Sequence, residues 1–184
     1  MAARNWKKLL ASAPIRPFSG RLVRCVPQLT FQQGSPPSYL FTSGAVNRCN
    51  PRDVHTLYMS QDRETALAEY ESYYADPEPQ LTYHADFQTD AVLDFEDQRV
   101  RRHFGVNDDD FFKGFRLAVK PTPLQLLGTA IAAQTVVAGI RFPSNARHRK
   151  DEAGFNFAIF RDSVRTPSSL AILGKGGALL VKWP

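Results

Sequence analysis

Residues 44–71 place a turn, a short strand and a helix in immediate succession, and this arrangement limits the fold more than any other part of the chain. The turn is rich in Gly, Asn and Pro, and the strand covers Thr56–Ser60. Asp62 is placed to cap a helix that extends to about Tyr74. These three elements bring residues of different chemistry close together in the sequence.

The rest of the chain alternates irregularly between short strands and helices. Hydrophobic alternation predicts further strands at residues 21–26, 40–41, 80–88, 91–95, 140–142, 155–160 and 179–183. Capping residues and prolines predict further helices at residues 4–12, 96–104, 108–116 and 123–138. Residues 32–38 are expected to form a loop, and Gly174–Gly177 a hairpin turn. Short connections and irregular alternation favour an α+β fold over a doubly wound sheet.

Length and composition fit one globular domain spanning residues 1–184. The chain is 43% hydrophobic and 22% charged, as is usual for a soluble protein. No run of 18 apolar residues predicts a membrane span, and the N-terminus lacks the apolar stretch of a signal peptide. We therefore expect a cytoplasmic protein, although signal-independent secretion would leave no trace in the sequence.

The net charge of +5 favours anionic partners in general. The basic residues are scattered, and their densest run contains Arg141, Arg147, His148, Arg149 and Lys150. No block of five or six like charges is present, so a dedicated nucleic-acid tail is not indicated. A basic nucleic-acid-binding domain remains an alternative of a different class.

Cysteine and histidine patterns predict neither a disulfide framework nor a metal site. Cys25 and Cys49 are the only cysteines and are not in a C-x-x-C pair, so we expect two reduced, buried thiols. The four histidines lack metal-ligand spacing. No metal and no resident cofactor are therefore expected.

Six side chains could carry chemistry. Arg48 in the turn offers a planar set of donors that suits a phosphate, Tyr58 offers an aromatic ring with a hydroxyl, and Glu69 offers a carboxylate. The other candidates are Arg24 within an apolar strand, Ser144 after a strand end, and Asn156 between two phenylalanines. Each has an ordinary explanation as a solvated or packing residue. Ser144 is weak as a nucleophile because no G-x-S-x-G elbow surrounds it.

In combination these residues resemble the signature of the RES-domain family. Tyr58 follows Arg48 by 10 residues and Glu69 follows it by 21, which are the family's spacings. The blocks GIRFPS (139–144) and NFAIF (156–160) resemble its later motifs, and LVR (22–24) resembles its first arginine-bearing strand. The resemblance extends from about residue 20 to residue 161. Asn47 and Cys49 depart from the family pattern, which has glycine before the arginine and an aromatic residue after it.

The resemblance implies an ADP-ribosyltransferase-like fold, with a central pair of β-sheets packed as a sandwich and surrounded by helices. It also implies a bacterial toxin that breaks down NAD⁺ as a substrate, as a glycohydrolase or a phosphorylase. Arg48, Tyr58, Glu69 and Ser144 would be catalytic, and Arg24, Asn47 and Asn156 would bind NAD⁺.

The partner implied by the resemblance is an antitoxin, or an immunity protein, that blocks the active site. The resemblance is also compatible with a homodimer, and it implies no membrane partner and no direct contact with nucleic acid. A mono-ADP-ribosyltransferase that modifies a macromolecule is the neighbouring alternative. Whether water, phosphate or a macromolecule accepts the ribosyl group stays open at this point.

Overall fold

Two long antiparallel strands, β1 (Arg16–Pro27) and β3 (Gln80–Asp94), are the basis of the fold. The structure is a computed structural model, and it describes residues 5–29, 45–74, 79–115, 118 and 120–184. The other strands are β2 (Thr56–Ser60), β4 (Gly139–Pro143), β5 (Phe155–Phe160), β6 (Ser169–Leu173) and β7 (Leu179–Trp183). The helices are α1 (Trp6–Ala11), α2 (Arg63–Tyr73), α3 (Gln98–Phe104), α4 (Asp108–Phe112), α5 (Pro123–Gln134) and α6 (Asn145–His148). The expected α+β class is confirmed.

The described strands form one hydrogen-bonded sheet in the order β1-β2-β5-β4-β3-β6-β7. Because β1 also pairs with β3, the first five strands of this order close into a ring, and β6 and β7 extend it beyond β3. Among the described strands, only β3 and β4 pair in parallel. A closed ring replaces the expected pair of separate sheets, because β1 is long enough to pair with β3 and also to contact β2 where Val23 faces Ser60.

Hydrophobic side chains fill the inside of the ring and cover part of its outside. Phe18 of β1 lies 4.5 Å from Phe157 of β5, between ring centroids, and 5.9 Å from Phe87 of β3. A second cluster packs the outer faces of β4 and β5 against α1, α3, α4 and α5. Since successive strand residues point to opposite faces, Leu57 and Met59 belong to the inner cluster while Tyr58 faces outward. The outward face of β2 and β5 is therefore available for a site.

Capping residues set the helices that flank this face. The Asp62 carboxylate accepts a hydrogen bond from the Thr65 backbone at 2.7 Å and begins α2, as predicted. Thr122 and Gln125 form a capping box at the start of α5. The helix ends at Gln134, earlier than predicted, because Thr135 adopts a left-handed conformation and Ala138 then pairs with the backbone of β3.

Other differences from the sequence-based elements concern length and continuity. The two strands expected at 80–88 and 91–95 are one strand, β3, and the helix expected at 108–116 ends at Phe112. β6 and the short α6 were not predicted. The turn at Gly174–Gly177 joins β6 to β7, and the hairpin is confirmed. The expected loop at 32–38 and strand at 40–41 lie outside the described residues.

Within the described ranges, no helix combines the length and apolar character needed to cross a membrane.

Candidate active site

The carboxylate of Glu69 is the centre of a polar cluster that unites three distant parts of the sequence. Its Oε1 atom accepts hydrogen bonds from Ser144 Oγ at 2.6 Å and from Asn156 Nδ2 at 2.7 Å. Asn156 is fixed in turn by Ser60, whose hydroxyl donates to Asn156 Oδ1 at 2.8 Å. Glu69 comes from α2, Ser60 and Asn156 from facing positions of β2 and β5, and Ser144 from the start of α6. Hydrogen bonds to one oxygen fix the carboxylate's orientation.

Ser144 is buried and held by hydrogen bonds from both its backbone and its side chain. It is 1% exposed, and its backbone N–H donates to the Gly154 carbonyl at 2.8 Å. Its Oγ accepts from the Arg147 backbone at 3.2 Å, which caps α6, while its hydroxyl proton is directed to Glu69. The serine thus supports the carboxylate from a capped helix end.

Tyr58 uses its hydroxyl to hold the turn that carries Arg48. The oxygen accepts from the Cys49 backbone N–H at 2.9 Å and donates to Asn50 Oδ1 at 2.9 Å. Burial raises the pKa of Tyr58 well above its ordinary value, so the phenol stays protonated at neutral pH. The hydroxyl is engaged with the protein, and the ring lies at the wall of the cleft.

Arg48 points from the turn towards the segment after α4. Its Nη1 donates to the Lys113 carbonyl at 3.2 Å, and its guanidinium lies 5.0 Å from the centre of the Phe115 ring. Burial lowers the pKa of Arg48, and the nearby Arg149 acts in the same direction. Asn47 contributes to the turn itself, because its side-chain oxygen accepts from the Arg48 backbone at 2.8 Å.

A cleft with two lobes surrounds this cluster. Both lobes are lined by Asn47, Tyr58, Glu69, Tyr73 and Asn156. The first lobe, of about 390 Å³, adds Arg24, Tyr70 and Tyr74 among its walls. The second, of about 430 Å³, adds Arg48, Arg149, Phe112, Phe115 and Phe142. Glu69 therefore lies where the two lobes meet.

Arg24 and Arg48, the two candidate arginines, line different lobes of the cleft. Arg24 belongs to the first lobe, and its Nη1 donates to the Tyr58 carbonyl at 3.2 Å. Arg48 belongs to the second lobe. Each lobe therefore has an arginine from a different element, Arg24 from β1 and Arg48 from the turn before β2.

The basic run near residue 147 has mostly structural contacts. Arg141 pairs with Asp94 and Glu96, Arg147 with Glu152, Lys150 with Glu71, and His148 stacks on Phe112. Arg149 differs, because it lines the second lobe together with Arg48. Its position in the run was a weak signal, since charge density alone does not say which side chain faces a cleft.

Other residues of the site were also not identified from the sequence. Ser60 orients Asn156, Asn50 accepts from Tyr58, and Gln125 and Gly128 of α5 contact the Arg48 turn. Asn50 lies within the recognised turn motif and could have been selected by its proximity to Arg48. The two residues of α5 are remote in sequence, and no local pattern connects them with the site.

Neither thiol takes part in a disulfide, as expected. Burial raises the pKa of Cys49 to about 12, so its thiol is protonated at neutral pH. Cys25 is half-buried at the first lobe. Across the ranges that the structure covers, no three His, Cys, Asp or Glu side chains are grouped as metal ligands.

Comparison with solved structures supports the fold. One chain of the crystal structure of the M. tuberculosis MbcT–MbcA toxin–antitoxin complex is similar, with a TM-score of 0.62 over 98% of this chain and 92% of that chain. The sequence identity is 15%, so this likeness concerns the fold alone. A search among curated proteins found no match. The sequence model of the RES domain matches residues 21–177, which is most of the chain. The protein therefore belongs to the RES-domain family.

Proposed function

We propose that this protein cleaves the bond between nicotinamide and ribose in NAD⁺. The observation that carries the proposal is the position of Glu69, whose carboxylate is fixed by Ser144 and Asn156 where two lobes meet. NAD⁺ bound with its nicotinamide in one lobe and its pyrophosphate in the other would have the nicotinamide-bearing ribose beside that carboxylate. The RES-family resemblance points to the same substrate.

Cleavage of this bond requires a negative charge beside the ribose and does not require a general acid. Nicotinamide is cationic in NAD⁺ and leaves as a neutral molecule, while positive charge develops on the ribose. A fixed carboxylate stabilises that charge without having to reorganise. The direct donors to Glu69 are a serine hydroxyl and an asparagine amide, so neither of them adds a positive charge that would offset its effect.

Charge and shape support different lobes for the nicotinamide and the pyrophosphate of NAD⁺. The second lobe contains Arg48 and Arg149, and two guanidinium groups suit a pyrophosphate. The tyrosine rings of the first lobe suit the flat nicotinamide, and Arg24 offers a donor for its carboxamide. Arg48 now donates to the Lys113 carbonyl, a neutral partner that a phosphate oxygen would replace at little cost.

The biological role follows from the family and from the similar structure. We propose a toxin that depletes NAD⁺ and is inhibited by an antitoxin, or by an immunity protein, that covers the cleft. The structural neighbour was solved as a toxin–antitoxin complex, which supports such a partner. The acceptor of the ribosyl group is water in a glycohydrolase and inorganic phosphate in a phosphorylase.

The proposal is tested by incubating the purified protein with NAD⁺, with and without phosphate, and identifying the products by mass spectrometry. Free nicotinamide with ADP-ribose indicates hydrolysis, and nicotinamide with a phosphorylated ADP-ribose indicates phosphorolysis. Intact NAD⁺ in the presence of folded, inhibitor-free protein would refute the proposal. Radiolabel from NAD⁺ that stays on a macromolecule after denaturation would replace it with ADP-ribosyl transfer.

A further inference from the structure

A buried glutamine of helix α5 contacts the turn that carries Arg48. Gln125 is 3% exposed, and its side-chain Nε2 donates to the Asn47 carbonyl at 3.0 Å. Its Oε1 accepts from the Thr122 backbone at 2.9 Å as part of the capping box. One amide thus uses its acceptor for the helix and its donor for the turn.

The same face of α5 touches the turn again at Gly128. A Cβ atom on this glycine would overlap the Cys49 carbonyl oxygen, so the turn packs directly on the helix backbone. Gly128 lies three residues after Gln125, which places both on one side of the helix. The Tyr58 hydroxyl, which accepts from the Cys49 N–H, is a third contact. Together with Gln125 and Gly128 it fixes the turn around Arg48.

We propose that Gln125 is a positioning residue of the active site, which sets the Arg48 turn without touching the substrate. The Asn47 carbonyl would otherwise lose its donor, and a turn free to shift would move the guanidinium out of the second lobe. Displacements of about 1 Å are enough to reduce catalysis strongly. The identity of the group that Arg48 binds rests on the proposed function. The effect of Gln125 on the turn does not, because the turn can be examined without any substrate.

Gln125→Glu separates the two roles of this side chain. A glutamate at this position keeps an acceptor for the Thr122 N–H and remains a good capping-box residue. It cannot donate to the Asn47 carbonyl, and its charge repels that oxygen. Thr122→Ala is the matched control, because it removes the Oγ1 acceptor of the Gln125 backbone N–H, at 3.3 Å, and leaves the contact with Asn47.

The first measurement is hydrogen exchange of peptides covering residues 45–53, followed by mass spectrometry on the free protein. We expect faster exchange in Gln125→Glu and unchanged exchange in Thr122→Ala, whose melting temperature falls instead. Gly128→Ala is a second variant, and it keeps α5 helical because alanine is a good helix former. It should also accelerate exchange, since the added Cβ pushes the Cys49 carbonyl away. Wild-type exchange in both Gln125→Glu and Gly128→Ala would overturn the proposal.

The second measurement is the split between KM and kcat for NAD⁺. We expect Gln125→Glu to raise KM about tenfold, with a smaller change in kcat, while Thr122→Ala keeps the wild-type KM. An equal rise in KM for both variants would show that helix stability, not the donor to Asn47, controls the turn, and would overturn the proposal. If the wild-type protein leaves NAD⁺ intact, the proposed function fails, and the exchange data alone decide the role of Gln125.

Discussion

Ser144 donates its hydroxyl proton to Glu69 across a distance of 2.6 Å, and its own oxygen is held by the backbone of α6. This relationship makes the serine a support for the carboxylate. Two parts of the chain that are 75 residues apart therefore act as one unit. We therefore expect that removing the charge of Glu69 lowers kcat more than removing the hydroxyl of Ser144.

Glu69→Gln should remove most NAD⁺ cleavage and leave the fold intact. A glutamine keeps an oxygen that can accept from Ser144 and Asn156, but it has no charge to stabilise the ribosyl cation. We expect kcat to fall by about 10²–10³-fold, similar to the loss of other electrostatic stabilisers. Steady-state kinetics check this, with Glu71→Gln as the control, because Glu71 lies on the same helix and forms an ion pair with the surface residue Lys150. A Glu69→Gln enzyme with wild-type kcat would contradict the assigned role.

Ser144→Ala should reduce kcat by about tenfold, which is less than the effect of Glu69→Gln, because Asn156 still holds the same oxygen. The double variant Ser144→Ala/Glu69→Gln should be no slower than Glu69→Gln alone, since the serine acts through the carboxylate. This non-additivity is the discriminating measurement. Additive losses would indicate that Ser144 contacts the substrate independently.

Tyr58→Phe should weaken the protein and raise KM more than it lowers kcat. The variant leaves the Cys49 N–H and Asn50 Oδ1 without the hydroxyl that now satisfies both, at a cost of about 2 kcal/mol. The ring and its edge-on contact with Phe142 are retained. Urea denaturation measures the loss of stability. A variant with wild-type stability and a collapsed kcat would show that the hydroxyl acts on the substrate.

Arg149→Ala should raise the KM for NAD⁺ about tenfold, because one of the two guanidinium groups of the second lobe is lost. Cleavage of nicotinamide riboside, which has no pyrophosphate, should be unaffected. Arg165→Ala is the control, since it removes the same charge from an exposed position whose side chain contacts the Asp162 carbonyl. An equal effect of Arg149→Ala on both substrates would remove Arg149 from the phosphate site.

Cys49 should make stability depend on pH in the alkaline range. Burial raises the pKa of its thiol from 9.0 to about 12 in the folded protein, whereas the unfolded chain ionises at the lower value. The unfolded state therefore binds fewer protons above pH 9, and the free energy of unfolding falls as the pH rises towards 12. The stability difference between wild type and Cys49→Ala should narrow by about 1.4 kcal/mol per pH unit in this window. Urea denaturation at several pH values measures it, and a constant difference would contradict the assignment.

Local patterns predicted the parts of the site that lie within one segment. The spacing of Arg48, Tyr58 and Glu69 could be read because one turn, strand and helix carry all three. The motif resemblance added Ser144 and Asn156, which the structure brings to Glu69. The sequence could not show that the Tyr58 hydroxyl is engaged by Cys49 and Asn50, since that depends on how the turn packs in three dimensions.

Ring closure and the role of α5 were also beyond local analysis. β1 begins at Arg16, but Pro17 and Gly20 lower its strand propensity, so the predicted strand began only at residue 21. Without the full length of β1, its pairing with both β2 and β3 could not be foreseen. Gln125 looks like an ordinary capping-box residue in the sequence, because its second hydrogen bond reaches a partner 78 positions away.

The closed ring has a kinetic consequence for the site. Ser60 and Asn156 lie on strands that are hydrogen-bonded on both sides, so they can separate only when the sheet itself opens. Arg48 is carried by a turn that is held by a few side chains and one glycine contact. Opening of this turn requires far less free energy than opening of the strands. We therefore expect the backbone around Ser60 and Asn156 to be the slowest part of the site to exchange and the turn that carries Arg48 to be the fastest.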